Sequence, residues 1–184
     1  MKLRGILYYS VLAGHSANDE SQAGRRLALA CIDALRDARQ DAAAADPGLL
    51  ECAARGKPRY PGGPDFSISH SAPLVACAAV SHGEVGLDVE CDAAAARLTL
   101  ATICDDAERA LARECGVLRV WLAKEAALKA GGGTIERIGA VRVFAGGATF
   151  GGVRYFEQRL ELEGRWPAAL MTSESCMPFE VQRL

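Results

Sequence analysis

No Cys-x-x-Cys pair occurs among the seven cysteines, at 31, 52, 77, 91, 104, 115 and 176. The spacing of zinc ribbons and thioredoxin-like redox motifs is therefore missing. An odd, scattered set in apolar surroundings reads as reduced core thiols of a cytoplasmic protein. Positive charge is not in excess either: 21 Lys and Arg against 23 Asp and Glu leave a net charge of −2. The aromatics form no basic stripe, so the chain lacks the footprint of a nucleic-acid binder. No apolar run reaches the ~18 residues that span a bilayer, and there is neither a solenoid repeat nor a charged tail. What remains is a half-hydrophobic chain of 184 residues, long enough for a real core and sized for one domain or two tightly packed small units.

The N-terminus has two readings. Met1-Lys-Leu-Arg followed by an apolar stretch over 5–14 has the outline of a signal peptide. Ile6, Leu7, Tyr8, Tyr9, Val11 and Leu12 are good strand formers, and the unpaired cysteines favour a buried first strand. A helix is expected from a cap at Asn18 or Asp19 to about Gln40, with Leu27, Cys31, Ala34, Leu35 and Ala38 at helical spacing. Residues 42–45 extend it and Asp46-Pro47-Gly48 stops it. Residues 56–65 are loop and 66–69 extended. Residues 74–80 and 85–90 read as a hairpin about the turn 81–84. Helical texture returns over 93–115 with a break at 104–106, and a second helix covers 117–130 before Gly131-Gly132-Gly133. Strands are expected at 138–144, 153–163 and 166–172.

Four short stretches carry the chemistry. In Gly86-Leu-Asp-Val-Glu, the alternation of a strand puts Asp88 and Glu90 on one face. Two like charges there cost free energy unless a cation intervenes, and hard oxygens suit Mg²⁺. A solvated acidic strand end is the plain alternative. In Trp121-Leu-Ala-Lys-Glu-Ala-Ala-Leu-Lys, Glu125 and Lys129 stand four apart. That is most often a surface ion pair, yet Trp121 shares their side and small apolar residues crowd the helix. Lys124 carries no signal beyond that of a surface lysine. In Phe66-Ser-Ile-Ser-His-Ser, His70 and its serines could donate to a phosphate, or His70 could simply bond backbone. Lys57, in the rigid Gly56-Lys57-Pro58, is a positioned cation.

The order of these pieces is more specific than any one of them. Gly-Lys-Pro, Phe-Ser-Ile-Ser-His-Ser, Gly-Leu-Asp-Val-Glu and Trp-x-x-Lys-Glu-x-x-x-Lys over residues 56–131 resemble the 4'-phosphopantetheinyl transferase superfamily, in its doubled, surfactin-synthetase-activating type. The resemblance implies transfer of the phosphopantetheine arm from coenzyme A to a serine of an apo acyl or peptidyl carrier protein, with release of 3',5'-ADP. It implies Mg²⁺ on Asp88, Glu90 and Glu125, with Glu125 also the base, and Lys129 neutralising the transferred phosphoryl group. Ser69 and His70 would bind phosphate oxygens. Lys57 and one of Arg25 and Arg26 would meet the nucleotide. Glu108 resembles a further acidic position, with a surface helix residue the alternative reading.

The fold implied is α+β: a monomeric pseudo-dimer of two similar subdomains, 1–87 and 88–184, each a small antiparallel sheet packed with a long helix, with the site at their interface. The expected protein is cytoplasmic, with no membrane or nucleic-acid partner. Two other readings stand beside it. One is a non-catalytic module that holds coenzyme A or a carrier protein, and the other is a metal-dependent nuclease or phosphohydrolase built from the same acids.

Overall fold

The computed structural model describes residues 5–14, 16–37, 44–51, 56–92 and 102–184. The chain is mixed α+β, with two sheets. β1 (Gly5–Val11) leads into α1 (Ala17–Asp37), and β2 (Asp65–Ser71) and β3 (Leu74–Val80) follow the Pro- and Gly-rich loop. β4 (Val85–Val89), α2 (Asp106–Cys115) and α3 (Val117–Ala130) come next. β5 (Arg142–Phe144), β6 (Gly147–Phe150), β7 (Val153–Leu162), β8 (Trp166–Thr172) and β9 (Phe179–Arg183) complete the chain.

The first sheet has the order β2-β3-β1-β9 and the second β4-β8-β7-β6-β5. All pairs are antiparallel except β1 with β9. Period-two burial divides the first sheet cleanly. Ile6, Phe66, Val75, Cys77 and Ala79 pack with Leu27, Ala28, Cys31 and Ile32 of α1. The other face presents Leu7, Leu74, Ala76, Ala78 and Val80 to Val85, Leu87, Val89, Ala168 and Leu170 of the second sheet. The outer face of the second sheet carries α3 through Ala123, Ala126 and Ala127 against Ala148, Tyr155 and Met171. The order of layers is thus helix, sheet, sheet, helix. All seven residues of β3 are buried, which is why that segment reads as a continuous apolar run.

The expected strand over 74–80 and the strand over 85–90 both form, but they are not a hairpin. β3 is central, hydrogen-bonded on one edge to β1 and on the other to β2, so it has no edge left for β4, which pairs with β8. The turn at 81–84, with Gly83 at φ +74°, passes the chain between sheets. The sheets part there, ahead of the expected boundary at residue 87, which lies inside β4. β9 returns from the far end of the sequence to β1, seating the Phe179 ring where a Cβ on Gly5 would stand, at 2.7 Å.

Other boundaries shift for local reasons. α1 is capped by Ser16, ahead of Asn18 and Asp19: the Ser16 Oγ accepts from the Asp19 N–H at 3.2 Å and the Asp19 carboxylate accepts from the Ser16 N–H at 3.0 Å. The expected end of α1 beyond Asp37, the extension over 42–43 and the helical texture over 93–101 lie outside the described residues. A 3-10 turn, Ile135–Ala140, occupies the start of the strand expected at 138–144. β6 and β9 were not foreseen. α3 has the bounds its sequence implies, and among the described residues no helix is long and apolar enough to cross a membrane.

Lys124 corrects the surface reading. It is 0% exposed and donates to Glu108 Oε1 at 2.6 Å and to the Val141 carbonyl at 2.7 Å. Glu108, 1% exposed, also accepts from the Val143 and Asp105 N–H groups, and with Asp105 it completes the capping box of α2. Both charges are paired and hydrogen-bonded, the condition under which burial is tolerated.

Two stability outcomes follow. Lys124→Ala strands the Glu108 carboxylate in the core and should cost about 3–5 kcal/mol in a urea titration; a cost under ~1 kcal/mol would mean the pair is not desolvated. A Cβ on Gly86 would stand 1.8 Å from the Ala126 carbonyl oxygen and 2.5 Å from the Ala130 nitrogen. Gly86→Ala should therefore push α3 off β4 and lower stability by ~1–3 kcal/mol or more. An unchanged melting temperature would show that the helix is not seated on the glycine.

Candidate functional site

The site begins with β2. Its alternate residues Asp65, Ser67, Ser69 and Ser71 point toward β4, while Phe66, Ile68 and His70 point the other way, toward α1. β4 is an edge strand, and its outward N–H groups need acceptors. They find side chains: Val85 N–H donates to Asp65 Oδ2 (2.7 Å), Leu87 N–H to Ser67 Oγ (3.0 Å) and Val89 N–H to Ser69 Oγ (3.1 Å). Ser71 Oγ contacts the Cys91 thiol at 3.4 Å. Each partner lies 20 residues further along the chain. The edges of the two sheets are joined by a zipper of side chains in place of a backbone ladder.

This zipper aims the acids. Ser69 Oγ donates to Asp88 Oδ1 at 2.9 Å, and Ser71 Oγ to Glu90 Oε1 at 3.0 Å. Glu90 Oε1 also accepts from the Cys91 and Asp92 N–H groups at 2.7 and 2.9 Å, which fixes the carboxylate just beyond the strand. Gly86 lets α3 lie directly on β4, bringing the last turns of the helix over Asp88. There Lys129 Nζ reaches Asp88 Oδ1 at 2.6 Å and Ser69 Oγ at 3.1 Å, and stands 3.8 Å from Glu125 Oε2. Asp88 is 5% exposed.

One buried and one partly buried carboxylate with one ammonium between them are short of positive charge. Burial, and after it the Asp88 carboxylate, push Glu125 up to about 7, against the pull of Lys129. Glu125 thus has the proton affinity of a base poised for neutral pH. Among the described residues no three His, Cys, Asp or Glu side chains are already gathered as a metal cage. The donor set nevertheless fits a hard divalent cation: its groups are carboxylate oxygens, and the proton affinity of Glu125 marks the charge deficit that such an ion would fill.

Glu125 and Lys129 open onto a cavity of about 500 Å³ walled by Gly56, Lys57, Pro58, Ser67, Ile68, Leu128 and residues 133–136. A second cavity of about 450 Å³ shares Gly56, Pro58 and Ile68 and adds Glu20, Arg25 and His70. The remaining expected site residues divide between these places. His70 lies on the opposite face of β2 from Ser69, half-exposed, with Nδ1 3.4 Å from Glu20 Oε2. Arg25 lines the second cavity, whereas Arg26 is exposed and does not. Lys57 walls the first cavity, but its ammonium turns inward to Asp65 and to the Val85 and Ala130 carbonyls.

Sequence reasoning missed the zipper as a unit and the Lys124–Glu108 pair. The period-two run Asp65-x-Ser67-x-Ser69-x-Ser71 was the available signal: polar residues on one face of a strand must meet polar partners. No family model matches the chain, and no curated protein matches it.

The raised Glu125 has a measurable consequence. The folded state holds that proton up to about pH 7, while an unfolded chain releases it near the ordinary 4.5. The contribution of Glu125 is thus most favourable below pH 4.5 and is lost as pH rises to about 7. Glu125→Gln should gain in stability relative to the native chain across that window, read as the difference in urea midpoints at pH 4.5 and 7.5. A difference that does not change with pH would contradict the burial of this carboxyl.

Proposed function

We propose that the chain is a 4'-phosphopantetheinyl transferase that moves the phosphopantetheine arm of coenzyme A onto a serine of an apo acyl or peptidyl carrier protein. The observation that supports this best is the meeting of Asp88, Glu125, Lys129 and Ser69 at one point, three of them in hydrogen-bond contact, beside a cavity large enough for part of a nucleotide. The four motifs that suggest the family all lie around it. In the same reading the molecule is a monomeric pseudo-dimer whose halves, 1–87 and 88–184, follow the sheet under α1 and the sheet under α3, except that β4 begins before residue 88 and β9 crosses back to the first sheet.

The roles follow from the chemistry of each group. Asp88, Glu90 and Glu125 would hold Mg²⁺, which when bound polarises the pyrophosphate and steadies the leaving phosphate. Glu125 takes the proton of the carrier serine as its oxygen bonds to the phosphorus of the pantetheine phosphate. The bond from that phosphorus to the bridging oxygen breaks, and the electron pair leaves with 3',5'-ADP. Lys129 offsets negative charge on the phosphoryl oxygens, and Ser69 both orients Asp88 and offers its hydroxyl. His70 and Arg25, sharing the second cavity, suit the far phosphates of coenzyme A. Arg26 takes no part, and Lys57 serves as wall.

Incubation of the protein with coenzyme A, Mg²⁺ and an apo carrier, followed by intact-mass spectrometry, tests the reading. The carrier should gain one phosphopantetheine mass, and EDTA should prevent it. Asp88→Ala and Glu125→Ala should each lower the rate at least ~100-fold with the fold retained. Native turnover by either variant would overturn the assignment of these acids. A native chain that binds coenzyme A and modifies none of several carriers would point to the binding module.

A further inference from the structure

Lys57 stands at the start of β2 and β4, and the site lies further along the same two strands. Its ammonium donates to the carboxylate of Asp65, to the Val85 carbonyl at 2.8 Å and to the Ala130 carbonyl at 3.4 Å. All three of its protons are thereby used, and the side chain is only 7% exposed. The three acceptors belong to three elements: the first residue of β2, the first of β4 and the last of α3. Those same elements carry Ser69, Asp88, and Glu125 with Lys129.

Nothing else described ties all three together at that end. The zipper joins β2 to β4 and meets α3 only at the other end, where Lys129 donates to Ser69. Gly86 lets α3 approach β4 but cannot hold it there, since a missing side chain removes a clash and adds no attraction. The helix C-terminus, where carbonyls lack intrahelical partners, is where α3 would slide or fray. Ala130 O is held by Lys57, one residue from Lys129, whose ammonium must lie within 2.6 Å of Asp88.

We infer that Lys57 is a positioning residue: its buried ammonium pins the last turn of α3 to the starts of β2 and β4, and so sets Lys129 and Glu125 over Asp88, without itself binding substrate phosphate. This differs from the role the sequence resemblance implies for it, that of a cation at the nucleotide. The kinetic consequence rests on the transferase reading, but the structural one does not.

Two variants and two readouts test it. Lys57→Met keeps the length of the side chain and removes the charge. Asp65→Asn keeps an acceptor for the Val85 N–H and weakens only the hold on Lys57, so it decides the matter if Lys57→Met does not fold. In both, hydrogen exchange of the amides at 131–133, whose N–H groups close the end of α3, should quicken at least tenfold relative to the native chain, with smaller changes in the amides of β7. Where transfer is measured, kcat should fall about 10- to 100-fold while the KM for coenzyme A stays within about twofold.

Unchanged exchange at 131–133 would overturn the clamp. So would a tenfold rise in KM with kcat preserved, which would make Lys57 a direct ligand. If the native chain transfers nothing, the transferase reading fails alone, and the exchange measurement still decides the clamp.

Discussion

Everything at the site depends on the way two sheet edges meet without pairing. β2 and β4 lie side by side, yet the N–H groups of Val85, Leu87 and Val89 are answered by the side chains of Asp65, Ser67 and Ser69. A backbone ladder would have satisfied the same donors and left nothing over. A hydroxyl has capacity to spare: Ser69 Oγ accepts from Val89 and Lys129 and still donates to Asp88. The joint between the sheets is therefore also the wiring of the acids, and one residue type does both jobs because it is donor and acceptor at once. Valine or alanine in these places would leave β4 with orphan donors and Asp88 with a single partner.

The site is also a balance between charges held apart by design of the backbone. Gly86 allows α3 to sit within contact of β4, and Glu125, withdrawn from water and set near Asp88, gains proton affinity first from that burial and then from the neighbouring carboxylate. Lys129 relieves this only in part. The second ion pair of α3, Lys124 with Glu108, lies on the far side of the same helix and is shut away from solvent. One short helix thus carries two lysines with opposite fates. Lys124 is held by Glu108 and Val141 and is part of the frame, whereas Lys129, 30% exposed, keeps a face toward the cavity.

How much of this could be read from the sequence differs by element. α3 was legible to the residue, because three glycines end it and its alanines suit a packed helix. β3 and β4 were legible as strands but not as members of different sheets, since an apolar run of strand length does not say which edge is free. β6 is four residues long and β9 is almost wholly exposed, so neither gives an apolar signal. The acids and Lys129 were found through motif order. Lys124 was misjudged because it was weighed alone: within a helix apolar nearly all round, a lysine has to be buried and paired. Lys57 was singled out as a positioned cation, but the sequence does not say in which direction its ammonium points, and the structure turns it inward.

The return of β9 to the first sheet reaches beyond architecture. Until the segment around Phe179 has emerged and folded, the outer edge of β1 is a bare row of donors and acceptors flanked by Ile6, Leu7 and Tyr8, the kind of surface to which another nascent chain can add a strand. β1 must wait for a strand far along the chain, whose Phe179 pairs with Gly5. Until β9 is made, that edge is open to misassembly, and a chaperone would find its work there.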